Sequence, residues 1–247
     1  MNVIVLAAGY ATRLYPLTRT EPKPLLPVAG KPMIECVLES LAPISGIDRI
    51  VIATNARFAG RFQQWSEQYR AAAAGPRLTI VNDGSTDDSN KLGAIGDLHL
   101  VLERERVEED VIVVAGDNLF SRSLEDFGRV CREKQAPVLG VYDVGDLEAA
   151  RKFNALAVDA DGRITRFEEK PDHPVTTLVG IALYYYPRST LPLIRQYIAE
   201  GNNPDQPGRL VQWLYPRTPF YTWQVPGLWF DIGSRETLAE ANRVFAS

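Results

Sequence analysis

The stretch NVIVLAAGYATRL, Asn2–Leu14, decides how the rest of the chain is read. Its first half, Asn2–Ala7, is β-branched and apolar without alternation. A strand with one wet face would alternate, so this pattern predicts a central parallel strand buried on both faces. The second half is a loop of small residues carrying one cation. A strand-to-loop junction at the carboxyl edge of a parallel sheet is where α/β proteins bind ligands. Small residues there let backbone N–H groups approach phosphate oxygens. Arg13 can add a bidentate clamp. A tight turn with a surface arginine is the alternative. The loop is neither GxxxxGK[ST] nor GxGxxG, so those two phosphate motifs do not apply.

Similar apolar runs follow at Arg49–Ala53, Leu78–Val81, Val111–Ala115 and Val138–Tyr142. Helical patterns separate them. Ile34, Val37, Leu38 and Leu41 recur at i, i+3, i+4 and i+7. Phe58–Tyr69, Leu92–Leu102 and Leu124–Lys134 also read as helices. This alternation predicts a parallel sheet with helices on both faces. After about residue 150 the pattern changes. Leu156–Val158 and Ile164–Phe167 flank a D-G turn and read as a hairpin. Leu178–Tyr186 and Tyr221–Val225 read as strands, Leu191–Ile198 and Arg209–Leu214 as helices. A last helix carries Leu238, Ala241 and Phe245 on one face. The second half reads as a small α+β lid region. No linker, repeat or low-complexity tract interrupts 1–247, which reads as a single domain.

Of 247 residues, 45% are hydrophobic and 23% charged, as in an ordinary globular chain. The net charge of −4 offers no basic field for nucleic acid. Cys36 and Cys131 form no CxxC pair, which suits a reducing cytoplasm. The N-terminus reads as a strand and not as a signal peptide. No apolar run approaches the roughly 20 residues of a membrane span, so no membrane partner is expected.

Four further segments carry polar groups that suit phosphate chemistry. Pro22-Lys23-Pro24 and the prolines after it stiffen a loop, which holds Lys23 in place. A surface lysine is the alternative. Gly116-Asp117-Asn118 ends the fourth strand on the same edge as the first loop, although a lone Asp there also suits a helix cap. Phe167-Glu168-Glu169-Lys170-Pro171 is either a site or a charged strand end. In Trp229–Ser234, Asp231 is either a helix cap or free, with Ser234 as the cap. Magnesium prefers a few carboxylates plus phosphate oxygens. Asp117 and Asp231 can hold it, while Arg13, Lys23 and Lys170 neutralise the remaining phosphate charge.

LAAGYATRLYPLT, PKPLLPVAGKPMIE, AGDN, FEEKP, Val179-Gly180 and WFDIGS occur in one order along essentially the whole chain. That order resembles the sugar-1-phosphate nucleotidylyltransferase family, the glucose-1-phosphate thymidylyl and uridylyl enzymes among its members. The resemblance implies a Rossmann-like α/β/α sandwich with a mixed central sheet. It implies condensation of a nucleoside triphosphate, dTTP or UTP first, with a sugar 1-phosphate, releasing pyrophosphate. The nucleotide part would span about 1–150 and the sugar-phosphate part about 151–247. By motif position, Ala8, Gly9, Tyr10, Ala11, Thr12 and Arg13 would line the nucleotide, with Asp83 and Gly93 at the base. Arg13, Lys23, Asp117 and Lys170 would be catalytic. Asn118, Asn154, Glu169, Lys170 and Gly180 would hold the sugar phosphate. Asp117 and Asp231 would bind Mg2+. A homo-oligomer is compatible with the family.

Three departures stand out. Ala11 replaces the second glycine of Gly-x-Gly-Thr-Arg; if φ is positive there, alanine costs roughly 1 kcal/mol. The base-reading glutamine is absent, and Asn82-Asp83-Gly84-Ser85 stands in its place. Phe153-Asn154 replaces a tyrosine-glycine pair, which implies an acceptor other than plain glucose 1-phosphate or a different binding mode. A cytidylyltransferase for a small phosphorylated metabolite and a regulatory subunit without catalysis are the alternatives. A glycosyltransferase would carry an Asp-x-Asp pair after a strand, which Gly116-Asp117-Asn118 does not supply.

Overall fold

The computed structural model describes residues 1–72 and 75–246. In chain order the strands and helices are β1 (Asn2–Leu6), β2 (Pro27–Val28), β3 (Lys31–Pro32), α1 (Met33–Leu41), β4 (Arg49–Thr54), α2 (Ala59–Ala72), β5 (Arg77–Asn82), α3 (Ala94–Arg104) and β6 (Val111–Ala115). Then come β7 (Asn118–Phe120), α4 (Glu125–Lys134), β8 (Val138–Asp143), α5 (Leu147–Ala150), β9 (Asn154–Val158), β10 (Ile164–Glu169) and β11 (Leu178–Tyr186). The chain ends with α6 (Leu191–Ala199), α7 (Pro207–Leu214), β12 (Tyr221–Gln224), β13 (Trp229–Asp231) and α8 (Arg235–Phe245).

Seven strands form one sheet in the order β12-β8-β11-β6-β1-β4-β5. β1 lies between β6 and β4 and runs parallel to both, with Leu6 opposite Ala115 and Ala53. Val3, Val5 and Ile4 are all fully buried. Val3 and Val5 join the core under α1, α2 and α4, whereas Ile4 joins the core under α3, α6 and α7. Both faces of β1 are dry, which is why its sequence does not alternate.

β11 is antiparallel to β6 and β8 and is the only strand of the seven that runs against the rest. After β8 the chain stays at the carboxyl edge through α5 and the β9–β10 hairpin. The next strand starts at that edge and runs back, which an antiparallel neighbour allows without a crossover. The second half is therefore more than a lid, because β11 and β12 enter the central sheet. Two small sheets, β2–β3 and β7–β13, lie outside it. α3 starts at Ala94, two residues later than its apolar pattern suggests, because Gly93 has φ 81°.

Asn154 joins the hairpin to the central sheet. Its Nδ2 donates to the Gly180 carbonyl at 2.9 Å, and its Oδ1 accepts the Gly180 N–H at 2.6 Å. Gly180 sits where the β11–β8 pairing shifts register, so the side chain substitutes for a missing strand partner. Asn154→Ala leaves a buried N–H and a buried C=O unpaired. We expect it to cost about 2–4 kcal/mol in urea denaturation. A loss under 0.5 kcal/mol would show that the bridge is not stabilising.

Candidate active site

The carboxyl ends of β1, β4, β5 and β6 meet at one edge, with the start of β11 beside them. β1 is the switch point: the chain moves from it to β4 and β5 on one side, then crosses through α3 to β6 on the other. The Ala7–Lys31 segment lies over this point, where α/β sheets bind ligands.

Within the loop, Gly9 is exposed, and a Cβ there would meet nothing within 4 Å. Neither protein packing nor a positive φ calls for glycine at this position, whereas close approach of a ligand does. Ala11 is left-handed at φ 47°, ψ 44°. The Thr18 hydroxyl donates to its carbonyl at 2.8 Å and holds that strained conformation in place. Tyr10 points inward; its ring is buried and its hydroxyl lies 3.1 Å from Ser85 Oγ. The Ala8 carbonyl accepts from Asn55 Nδ2 at 2.8 Å. Thr12 and Arg13 are exposed on the open side of the loop.

Lys23 is no surface lysine. Its side chain is 13% exposed and forms an ion pair with Asp117. Asp117 is no helix cap either, because a strand, β7, follows it. β7 pairs antiparallel with β13, with Asp231 opposite Asn118, and this brings Asp231 beside Asp117. Ser234 caps α8 by accepting the Thr237 N–H, which leaves Asp231 free of that task. Burial pushes the Asp231 carboxyl up to about 6, with the Asp117 charge adding to the rise and Lys23 and Arg13 opposing it. Asn118 links the parts: its Nδ2 donates to Asp117 Oδ1 at 3.2 Å, and its Oδ1 accepts Trp229 Nε1 at 2.8 Å.

Asp117, Asn118, Asn154, Glu169, Gly180 and Asp231 line one cleft of about 210 Å³. Trp229 forms its aromatic wall, 5.5 Å from Phe153 and 5.6 Å from Tyr142 between ring centres. Glu169 Oε2 is buried without a hydrogen-bond partner. Burial pushes this carboxyl up to about 7 against the pull of Lys170 and Arg209. The Glu169 carboxylate lies against Gly208 in the first turn of α7, where any Cβ would collide with it. Lys170, left-handed at φ 48°, is exposed beside it. The Asn154 amide faces the cleft wall with two of its bonds already taken by Gly180.

The two residues expected at the base lie outside this cleft, Asp83 directly after β5 and Gly93 directly before α3. Asp83 accepts the Ser85 N–H at 2.7 Å and the Ser85 hydroxyl at 2.9 Å. A Cβ on Gly93 would lie 2.6 Å from the Asp205 Cα, so close backbone packing requires glycine there. The Asn202–Gly208 segment spans both places. Its Pro204 and Asp205 carbonyls accept the Ile95 and Ala94 N–H groups at 2.8 and 3.2 Å. Pro207 and Gly208 then reach the cleft. No site role for this segment, for the Trp229 ring or for Tyr184, which also lines the cleft, is expected from the motifs. The run of Asn, Pro and Gly from 202 to 208 was the available signal.

Among the described residues, no three His, Cys, Asp or Glu side chains converge as a complete metal cage would. Two adjacent carboxylates, one of them without a hydrogen-bonded cation, instead suit an ion that takes its other ligands from phosphates and water. The donor set of Asp117 and Asp231 therefore fits magnesium.

An open α/β sheet with its polar groups collected over a switch point defines the class of α/β proteins that bind a ligand at the carboxyl edge of the sheet. The Nucleotidyl transferase family model matches residues 2–247, and the chain belongs to that family. It is 28% identical to the UTP–glucose-1-phosphate uridylyltransferase of Synechocystis sp. over 94% of this chain and 60% of that one. It is 26% identical to the glucose-1-phosphate thymidylyltransferase of Streptomyces antibioticus over 98% of this chain and 65% of that one. The chain thus spans about three fifths of the length of these relatives. The crystal structure of a UDP-glucose pyrophosphorylase complexed with UDP-glucose superposes with a TM-score of 0.81 at 22% identity, covering 99% of this chain and 97% of that one. Among the described residues no helix is long and apolar enough to cross a membrane.

Two measurements follow from this geometry. Ala11→Gly removes the left-handed strain, and we expect stabilisation of about 1 kcal/mol, read as a higher Tm. An unchanged or lower Tm would contradict a strained loop. Glu169 holds a proton in the folded chain, between the ordinary carboxylate range and about 7, that the unfolded chain releases. Stability is then lost as pH rises through that window. Glu169→Gln should lessen the loss between pH 5 and pH 8 by on the order of 2 kcal/mol in urea denaturation. Superimposable pH profiles for the two proteins would refute this.

Proposed function

We propose that this chain transfers a nucleotidyl group from a nucleoside triphosphate to a sugar 1-phosphate. The reading rests on one observation above others: a lysine, an arginine and two carboxylates gather at the switch point, directly beside a cleft sized for a small polar ligand. Residues up to about 150 would hold the nucleotide, and those from about 151 the acceptor.

A non-ester oxygen of the sugar phosphate attacks the α-phosphorus in line. A new P–O bond forms, the bond from the α-phosphorus to the bridging oxygen breaks, and pyrophosphate leaves with that electron pair. No protein group forms a bond, so the protein's work is positioning and charge. Backbone N–H groups around Gly9 approach the phosphates. Arg13, exposed over the loop, moves onto the triphosphate and neutralises the charge that collects on the leaving group. Lys23 is already held at the centre by Asp117. Lys170, exposed next to Glu169 in the chain, would meet the acceptor's phosphate. Glu169 offers a buried acceptor for a sugar hydroxyl, and the Trp229 face offers an apolar wall for the ring. Magnesium, held by Asp117 and Asp231, would screen the phosphate charges when bound.

One relative is named for UTP and another for thymidylyl transfer, so UTP and dTTP come first in the assay. Pyrophosphate release should appear with one of five nucleoside triphosphates, magnesium and one of a panel of sugar 1-phosphates. Release only with a phosphorylated amino alcohol would favour the cytidylyltransferase alternative, and no release with any pair would sink the proposal. Lys23→Ala and Asp231→Asn should each lower turnover about 10²–10³-fold. Near wild-type rates for both would remove these residues from the mechanism.

A further inference from the structure

Asp97 lies in the first turn of α3, only 5% exposed, and its Oδ1 meets no N–H or O–H donor. The group it faces is the carboxylate of Asp83, within hydrogen-bond reach. Asp83 in turn accepts the Ser85 N–H and hydroxyl, and the Ser85 hydroxyl lies 3.1 Å from that of Tyr10. Tyr10 stands between Gly9 and Ala11 in the phosphate loop. The Ser85 carbonyl also accepts the Ala56 N–H at 2.9 Å, which fixes the serine from the β4 side.

We propose that Asp97 is a positioning residue for triphosphate binding. As a neutral acid it donates a proton to Asp83, and the chain Asp97–Asp83–Ser85–Tyr10 holds the strained Gly9–Thr12 loop in its binding shape. Two carboxylates at hydrogen-bond range are stable only with one proton between them. Burial, followed by the Asp83 charge, pushes Asp97 up to about 8. α3 packs against β1, β4, α6 and α7, and Asp83 is the one charged group acting on Asp97 among the described residues. Asp83, Asp87 and Arg57 act on Tyr10, whose hydroxyl is raised above its ordinary value, chiefly by burial, and keeps its proton in the same range. Ionisation of Asp97 sets two like charges against each other at the far end of the chain and releases the loop.

The inference rests on the nucleotide-transfer reading only for what the loop binds. The test therefore uses inorganic tripolyphosphate with magnesium, measured by calorimetry at pH 7 and pH 9 and free of any turnover. If only the protonated form binds, wild-type affinity relative to Asp97→Asn should fall about tenfold from pH 7 to pH 9. Asp97→Leu lacks the donor and should bind weakly at both values, and Asp97→Asn should recover most of that loss. Asp83→Asn removes the like charge and should also flatten the profile. Parallel pH dependence in wild type and Asp97→Asn overturns the proposal. Infrared difference spectra in the Glu169→Gln background, where Glu169 contributes no carboxyl signal, give a further check: one protonated carboxyl should be present at pH 7 and titrate away by pH 9. Its absence would equally overturn the shared proton. A chain that transfers no nucleotide but shows this split keeps the inference while losing the proposed function.

Discussion

Asp117 and Asp231 are pressed together, and much of the site is arranged around that repulsion. The contact is imposed by backbone. β7 and β13 are only three residues each, yet their pairing sets Asp231 opposite Asn118 and beside Asp117. Isolated short ribbons are marginal in water. This one is held at its ends by the Trp229–Asn118 bond and by the capped start of α8. Lys23 answers one of the two charges from within a proline-stiffened loop. The other charge remains, which is the state a cation-binding pair needs before its ion arrives.

Much of the sheet could be read directly. β1, β4, β6 and β8 are buried on both faces, so their runs of Val, Ile and Leu leave no ambiguity of period. The alternation of those runs with amphipathic segments then leaves few topologies. The place of β11 between β6 and β8 was not readable. Its sequence, LVGIALYYY, marks a strand but carries no sign of its neighbours or direction. β2, β3, β7 and β13 were missed because two or three residues are too few to show a period.

The site divides along a similar line. Arg13, Lys23, Asp117 and Asp231 stand out as candidates because each lies in a motif tied to the end of a strand or a stiff turn. Ser234 resolves the ambiguity at Asp231, and its place before an amphipathic helix is itself a readable cap signal. The φ of Ala11 followed from its position in a glycine pattern. Roles set by a partner far away in the chain were hidden. Asn154 reads as an added polar group for a ligand, whereas Gly180 engages its amide. Asp97 reads as an ordinary acid in a first helical turn, and only its position facing Asp83 marks it as different.

The Asn202–Gly208 segment touches the two ends of the candidate site with one short piece of backbone. Its carbonyls hold the start of α3 beside Gly93, and its last residue forms the seat of Glu169. Lys91 anchors the same segment through Asp205. A change of one residue in its length would therefore displace the wall beside Gly93 and the wall of the Glu169 cleft together. Under the proposed function, divergence toward a new donor and divergence toward a new acceptor would not be independent events in this architecture. A lineage that remodels this segment would be expected to change both preferences in a single evolutionary step.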